Sequence, residues 1–278
     1  MPEQEKLNVR DLVVEYPGQG FRAKPFRVLN GVNLSIKPGQ THGLVGESGS
    51  GKTTIGRAVL GLVPMTSGTV LLDGREIRRR RLAERRDVAA KIQVIFQDPY
   101  SSLNPAMTVE QILTEPLRAR GASRADATRR IAELLDRVHL PADSLHRYAY
   151  EFSGGQRQRI AIARALALQP GVIVCDEPVS AVDLTTQERI LHLLVEIQRD
   201  TGVSYLFISH DLAVVRHVSH EVSVLYCGDI VEQGPALQVT GDPQHAYTKK
   251  LWMSSPLPDP DAQAQRRAER RLLTLSAS

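Results

Sequence analysis

Cysteine is nearly absent: Cys175 and Cys227 are the only two in 278 residues. Two thiols are too few for a cysteine-based zinc or iron–sulfur site. Both lie in apolar, strand-like runs, which reads as a pair of buried free thiols. No run of 18 or more apolar residues occurs, which excludes a membrane-spanning helix. The first residues, Met1-Pro2-Glu3-Gln4-Glu5-Lys6, have no apolar stretch behind a basic region. The expectation is therefore no secretory signal and a cytoplasmic chain. Aromatic residues do not interleave with the arginines. Arg75, Arg78, Arg79, Arg80, Arg81, Arg85 and Arg86 crowd one stretch, and Arg266, Arg267, Arg270 and Arg271 crowd the C-terminus. Without stacking platforms, nucleic acid is not the expected partner. A solvated face and tail, or attraction to anionic lipid head groups, fits better. The net charge of +4 is a mild excess, and no internal repeat is visible.

The chain does have the length and the 42% hydrophobic content for one large α/β domain, or one domain with a smaller appendage. Residues 7–16 and 27–36 read as strands, and Pro38-Gly39 as a turn. Thr41–Val45 is a short apolar run leading into a glycine-rich loop, after which Thr53–Leu62 reads as a helix. Residues 68–73 and 92–96, with Asp73-Gly74 as a turn, suggest an antiparallel piece beside a main sheet. From Asp98 to about Leu168 the pattern is helical, with Ile131, Leu134, Leu135 and Val138 on one face. Strand signals return at 171–175, 203–208 and 222–226. A helix with Ile190, Leu193, Leu194 and Ile197 on one face separates the first two. Strands alternating with helices imply a parallel sheet with crossovers.

Three stretches carry chemistry. Gly46-Glu47-Ser48-Gly49-Ser50-Gly51-Lys52-Thr53 matches G-x-x-x-x-G-K-[ST] between a strand and a helix. Phosphate oxygens need many close donors, so such a loop must expose backbone N–H groups and avoid bulky Cβ atoms. Lys52 can neutralise the β- and γ-phosphates, the Thr53 hydroxyl can ligate Mg²⁺, and the helix that follows turns its positive end to the anion. The loop alone does not choose between kinase, GTPase and ATPase. Val172-Ile173-Val174-Cys175-Asp176-Glu177 is an apolar strand ending in two carboxylates. Asp176 can hold Mg²⁺ through water, and Glu177 can orient or deprotonate an attacking water. Alone, such a strand is common; beside the loop it gains meaning. Ser153-Gly154-Gly155-Gln156 opens a helix, which is either an ordinary N-cap or a second set of donors for an anion.

Phe152-Ser153-Gly154-Gly155-Gln156-Arg157-Gln158-Arg159 resembles the signature sequence of ABC-type ATPases. The resemblance covers nearly the whole chain, with further motifs in the family's order. Tyr16 matches the aromatic that stacks on adenine, and Gln97 matches the Q-loop glutamine. Ser180-Ala181-Val182-Asp183 is similar to the D-loop, and His210 matches the switch histidine that senses the γ-phosphate. The implied fold is α/β, a P-loop NTPase of the ABC type with an antiparallel β subdomain, an inserted α-helical subdomain and a small C-terminal appendage. The implied division is 1–97 with 169–240 as ATP-binding core, 98–168 as helical subdomain with the signature, and 241–278 as appendage. Glu177, His210 and Gln97 would be catalytic. Tyr16, Gly46 to Thr53, Thr54, Ser153, Gly154, Gly155, Gln156 and Asp183 would bind nucleotide. Thr53, Gln97 and Asp176 would hold Mg²⁺.

Gln97-Asp98-Pro99-Tyr100-Ser101-Ser102-Leu103-Asn104-Pro105, Tyr150-Glu151-Phe152 and Gly241-Asp242-Pro243-Gln244-His245-Ala246-Tyr247-Thr248 resemble the oligopeptide and dipeptide importer branch. That branch implies an ATPase subunit at the cytoplasmic face of the inner membrane. Its partners would be a second ATPase subunit, identical or related, two transmembrane permease subunits and a substrate-binding protein. Peptides are the first expected substrate, with nickel, glutathione and other small solutes as alternatives. A soluble ABC ATPase of DNA repair or ribosomes, an export ATPase and a module without hydrolysis are competing readings. The first needs a coiled-coil insertion or two nucleotide domains, and intact Glu177, Gln97 and His210 oppose the last.

Overall fold

The computed structural model describes residues 5–18, 20, 24–77 and 82–254. The arginines at 78–81, 266, 267, 270 and 271 and the prolines at 256, 258 and 260 lie outside them. In chain order the elements are β1 (Leu7–Tyr16), β2 (Phe26–Ile36), β3 (Thr41–Val45), α1 (Lys52–Val59), β4 (Ser67–Leu72), β5 (Arg75–Glu76), α2 (Leu82–Lys91), β6 (Ile92–Ile95), α3 (Pro99–Ser102), α4 (Val109–Ala119) and α5 (Arg124–Arg137). Then follow α6 (Gly154–Leu166), β7 (Val172–Asp176), α7 (Leu184–Thr201), β8 (Ser204–Ser209), α8 (Leu212–Val218), β9 (Glu221–Tyr226), β10 (Asp229–Pro235), α9 (Ala236–Gly241) and α10 (Ala246–Ser254). Two short 3₁₀ turns, Ala142–His146 and Ala149–Glu151, lead into α6.

Two sheets organise these elements. One is antiparallel, in the order β2-β1-β4-β5; the other has the order β10-β9-β3-β8-β7-β6. In the second, β9, β3, β8, β7 and β6 run parallel and only β10 returns antiparallel. The strands of the parallel sheet are apolar on both faces because both faces are covered. Along β7, Val172 and Val174 join the cluster that contains α1 and the antiparallel sheet, while Ile173 and Cys175 join the cluster of α6, α7 and α8. Along β8, Leu206 and Ile208 face the first cluster, and Tyr205 and Phe207 the second. The period of two thus assigns each side chain to one layer. Ile131, Leu134, Leu135 and Val138 all sink into the core, as the helical spacing predicts.

Several expectations change. The run at 92–96 does not extend the antiparallel piece. Its residues 92–95 form β6, parallel to β7 at the edge of the main sheet. The preceding helix α2, which the pattern did not reveal, supplies the crossover that a parallel strand requires. The helix after the glycine loop ends at Val59, short of Leu62. Leu62 N–H donates to the Arg57 carbonyl at 2.8 Å and Gly61 N–H to the Ala58 carbonyl at 3.0 Å, a Schellman closure. Cys175 is buried and its thiol pKa is pushed up by that burial, but Cys227 is exposed. It sits with φ 48° in the turn of the β9–β10 hairpin, where the apolar run has ended.

One buried polar residue makes the fold sensitive to acid. His42 of β3 is 2% exposed, and its Nε2 lies 2.8 Å from Ser223 Oγ. Burial lowers its pKa from 6.5 to about 4, opposed by a backbone contact at Ser35. The folded chain keeps this ring neutral, while the unfolded chain takes up a proton first as the pH falls. Stability should therefore decline from about pH 6.5 downward, by about 3 kcal/mol when pH 4 is reached. Denaturant titrations of His42→Gln across this window should show a flatter pH slope than wild type; identical slopes would refute the assignment.

Candidate functional site

The glycine loop lies between β3 and α1. A Cβ on Gly46 would fall 2.2 Å from the Leu225 carbonyl oxygen, so the loop can press against β9 only with glycine here. Gly51 caps α1 with φ 110°, a conformation that L side chains rarely adopt, and no side chain caps the helix. The first N–H groups of α1 therefore have no capping side chain to satisfy them, which suits an anion. Lys52, 5% exposed, donates from Nζ to the Gly46 and Glu47 carbonyls at 2.8 Å each. Burial lowers its pKa, against the pull of the Glu177, Asp176 and Glu47 carboxylates.

Adjacent parallel strands deliver the remaining groups at their C-terminal ends, where α/β sheets place ligand sites. Asp176 ends β7, and its Oδ1 accepts from Thr53 Oγ1 at 3.1 Å. Burial raises the Asp176 pKa, while the Thr53 bond and the nearby Arg57 and Lys52 oppose the shift. Glu177 follows in the left-handed region, φ 48°. A non-glycine residue held there stores about 1–3 kcal/mol of strain. Its N–H donates to the Ile208 carbonyl at 3.0 Å, and its own carbonyl accepts from Ser180 N–H at 3.2 Å. Glu177 Oε2 lies 3.2 Å from Gln97 Nε2 and 3.2 Å from His210 Nδ1. Gln97 stands just beyond β6, and His210 just beyond β8.

Apart from Asp176, which reaches it only through Thr53, these groups line one cavity of about 760 Å³ that holds Glu47, Ser48, Gly49, Gly51, Lys52, Thr53, Thr54, Gln97, Glu177 and His210 together. Gly46 and Ser50 form the back of the loop and do not line it. Three further residues do, without a motif to announce them: Val28, Asp211 and Leu251. Asp211 also caps α8, accepting from Ala213 N–H at 2.8 Å. Tyr16 is not brought to the cavity. It sits half-buried at the end of β1, opposite Phe26, against the core of the antiparallel sheet.

The Ser153–Gln156 segment and Asp183 lie outside the cavity too. Ser153 and Gln156 exchange a capping box at 3.4 and 3.0 Å, and Asp183 accepts from Thr186 N–H at 3.0 Å and from Thr186 Oγ1 at 2.7 Å. Both segments are helix starts with exposed polar groups. The buried Gln158 amide donates to the Pro178 carbonyl at 2.7 Å and so ties α6 to the loop behind Glu177.

The cavity can receive a polyphosphate on the loop, with a carboxylate, an amide and an imidazole facing its terminal group. Its metal-directed donors are hard: the Thr53 hydroxyl, the Asp176 carboxylate and the Gln97 amide. They fit Mg²⁺, which keeps several waters and binds through one or two carboxylates plus substrate phosphates. Among the described residues, no three His, Cys, Asp or Glu converge into a metal cage of their own.

Comparison with known proteins gives a consistent picture. The family model described as ABC transporter matches residues 29–180. A putative peptide import ATP-binding protein of Brucella ovis is 46% identical over 267 residues, covering 96% of this chain and 83% of that one. The glutathione import ATP-binding protein GsiA of Salmonella typhi is 47% identical over 266 residues, 94% of this chain, which spans 43% of that relative's length. Among solved structures, cbiO1 from Clostridium perfringens, part of the ABC transporter complex cbiONQ, superposes with a TM-score of 0.77 at 25% identity, over 86% of this chain and 92% of that one. An ATP-binding cassette solved as a dimer in a post-hydrolysis state, bound to ADP and Pi, superposes at 0.73 with 29% identity, over 83% of this chain and 98% of that one.

Proposed function

This chain belongs to the ABC transporter family, and on that premise we propose that it is the ATP-hydrolysing subunit of an importer of di- or oligopeptides. The observation that carries the reading is the convergence of Lys52, Thr53 and the Gln97–Glu177–His210 cluster on one cavity, with Asp176 hydrogen-bonded to Thr53 behind it. The 46% identity to a putative peptide import protein supports the substrate class. The 47% identity to a glutathione import protein supports the nearest alternative, a small γ-linked peptide.

In this reading Lys52 exchanges its two loop carbonyls for the β- and γ-phosphates of ATP, and the α1 N-terminus and loop N–H groups take the remaining charge. Thr53, Asp176 and Gln97 hold Mg²⁺, which when bound neutralises charge on the terminal phosphates. Glu177 accepts the proton of the attacking water, oriented by Gln97, and His210 donates to the γ-phosphate. Tyr16, whose strand partner Phe26 lies two residues before the cavity-lining Val28, stacks on the adenine. We assign 1–97 with 169–240 to the ATP-binding core, 98–168 to a helical subdomain, and 241–278 to an appendage.

The exposed Ser153–Gln156 and Asp183 segments close over the nucleotide of a second ATPase subunit, so that two ATP molecules are sandwiched head to tail. The dimeric state of a structural relative supports this. The subunit sits peripherally on the cytoplasmic face of the membrane, against two permease subunits served by a substrate-binding protein. No helix among the described residues is long and apolar enough to cross a membrane itself.

Sandwiching has a kinetic consequence. Turnover per chain should rise with chain concentration, and apparent ATP affinity should rise with it, because a nucleotide that stabilises the pair is bound more tightly by the pair. Specific activity that is flat over a hundredfold dilution would remove the shared-site reading. Co-purification with the partner chains, followed by identification of what the binding protein carries, tests the substrate; a cargo without peptide bonds would overturn peptide import.

A further inference from the structure

Tyr247 of α10 grips the glycine loop without itself lining the cavity. The Glu47 N–H donates to the Tyr247 hydroxyl at 2.8 Å. The carbonyl of the same peptide unit, that of Gly46, accepts from Lys52 Nζ at 2.8 Å. A trans peptide is planar, with its N–H and C=O pointing in opposite directions. Tyr247 on one side and Lys52 on the other therefore fix the rotation of the Gly46–Glu47 plane.

Tyr247 is itself held firmly. It is 7% exposed, and its ring packs against that of Tyr226, with centroids 4.3 Å apart. The start of α10 is pinned by Glu232 of β10, whose carboxylate accepts from Gln244 N–H at 2.8 Å and His245 N–H at 3.0 Å. The same β9–β10 hairpin supports the loop from below, where Gly228 N–H donates to the Ser50 carbonyl at 3.1 Å. One turn beyond Tyr247, Leu251 lines the cavity.

We infer that Tyr247 is a positioning residue for the nucleotide site, holding the Gly46–Glu47 peptide, and with it Lys52, in the arrangement that receives phosphate. The inference rests on reading Gly46–Thr53 as the phosphate loop. It makes the C-terminal appendage part of the ATP site rather than an ornament on the fold. A loop already set in its binding geometry loses less freedom when the nucleotide arrives, so the hydroxyl acts on affinity. It touches no reacting atom, so the chemical step should be spared.

The test is Tyr247→Phe in the full chain, which removes one oxygen and keeps the ring. Calorimetric titration with ATP should give a Kd raised about five- to tenfold, the equivalent of one hydrogen bond. The KM for ATP should rise with it, while kcat at saturating ATP stays within about twofold. Lys250→Ala, which removes only the exposed 3.8 Å contact to the Glu47 carboxylate, should leave Kd at the wild-type value. Glu232→Ala, which frees the start of α10 without touching the ring, should raise Kd in the same sense and decides the matter if the phenol-free chain does not fold. An unchanged Kd, or a lost kcat with an unchanged KM, overturns the role. Lys52→Ala in the same assay separates the two readings. If it loses binding and Tyr247→Phe does not, only the positioning role fails; if it binds normally, the phosphate loop and Tyr247 fall together.

Discussion

Glu177→Gln is expected to bind ATP with near wild-type affinity and to hydrolyse it about a hundred- to ten-thousandfold more slowly, the range a positioned general base supplies. The substitution is nearly isosteric. Glutamine can still accept from Gln97 Nε2, so the local packing and the left-handed backbone at this position should survive. What is lost is the negative charge and the proton acceptor. Because the γ-phosphate would persist, the ATP-bound pair of subunits should persist too. Size-exclusion chromatography in ATP should show a dimer that wild type forms only transiently. Steady-state turnover and elution volume check both halves of the expectation. Turnover at the normal rate would move the base role to another group, with His210, 3.2 Å from the same oxygen, as the first candidate.

Lys52→Ala acts on the other half of the site. The side chain is buried, its pKa is lowered by that burial, and its two present partners are loop carbonyls. Among the described residues no carboxylate is paired with it by direct contact, and Glu177, Asp176 and Glu47 act on it as surrounding charge. Such a cation is poised for an incoming anion. A charge-assisted hydrogen bond contributes about 1.5–3 kcal/mol, so losing contacts to two phosphates should weaken ATP binding by about a hundredfold or more. The fold itself should tolerate the change, because alanine removes a desolvated charge and suits the first turn of α1. Direct titration with ATP, alongside circular dichroism to check the helices, separates loss of binding from loss of structure. Wild-type affinity in a folded variant would sink the phosphate-cradle reading.

The two mutants differ in a way that the geometry dictates. Lys52 belongs to the loop that grips ATP, and Glu177 to the strand end that faces the reacting phosphate. One should fail before chemistry and the other during it. Tyr247→Phe should resemble a mild form of the first, because it acts through the same peptide.

Much of this site was legible in one dimension because its parts are local. The loop, its lysine and its helix are consecutive residues, and their chemistry follows from glycine conformation and helix termini. The acidic strand end closes an apolar run, so period and polarity marked it, whereas Gln97 and His210 were picked out by their resemblance to the family's motifs. The helices at 124–137 and 184–201 were announced by faces of apolar residues. Short elements gave no such notice. α2 and β10 carry too little apolar periodicity, and β6 alone does not reveal whether its partner runs parallel or antiparallel.

Distance along the chain marks the other boundary. Residue types and their order were enough to name the phosphate loop, the carboxylate pair and the family they resemble. Only the folded chain decided that Gln97, Glu177 and His210 meet within 3.2 Å, and that Ser153, Asp183 and Tyr16 do not line the cavity. It also placed Tyr247, exactly 200 positions beyond Glu47, on the first peptide of the loop. The physical reason is that local conformation is written in neighbouring residues, whereas the meeting of distant ones depends on strand order and layer packing, which no short stretch encodes.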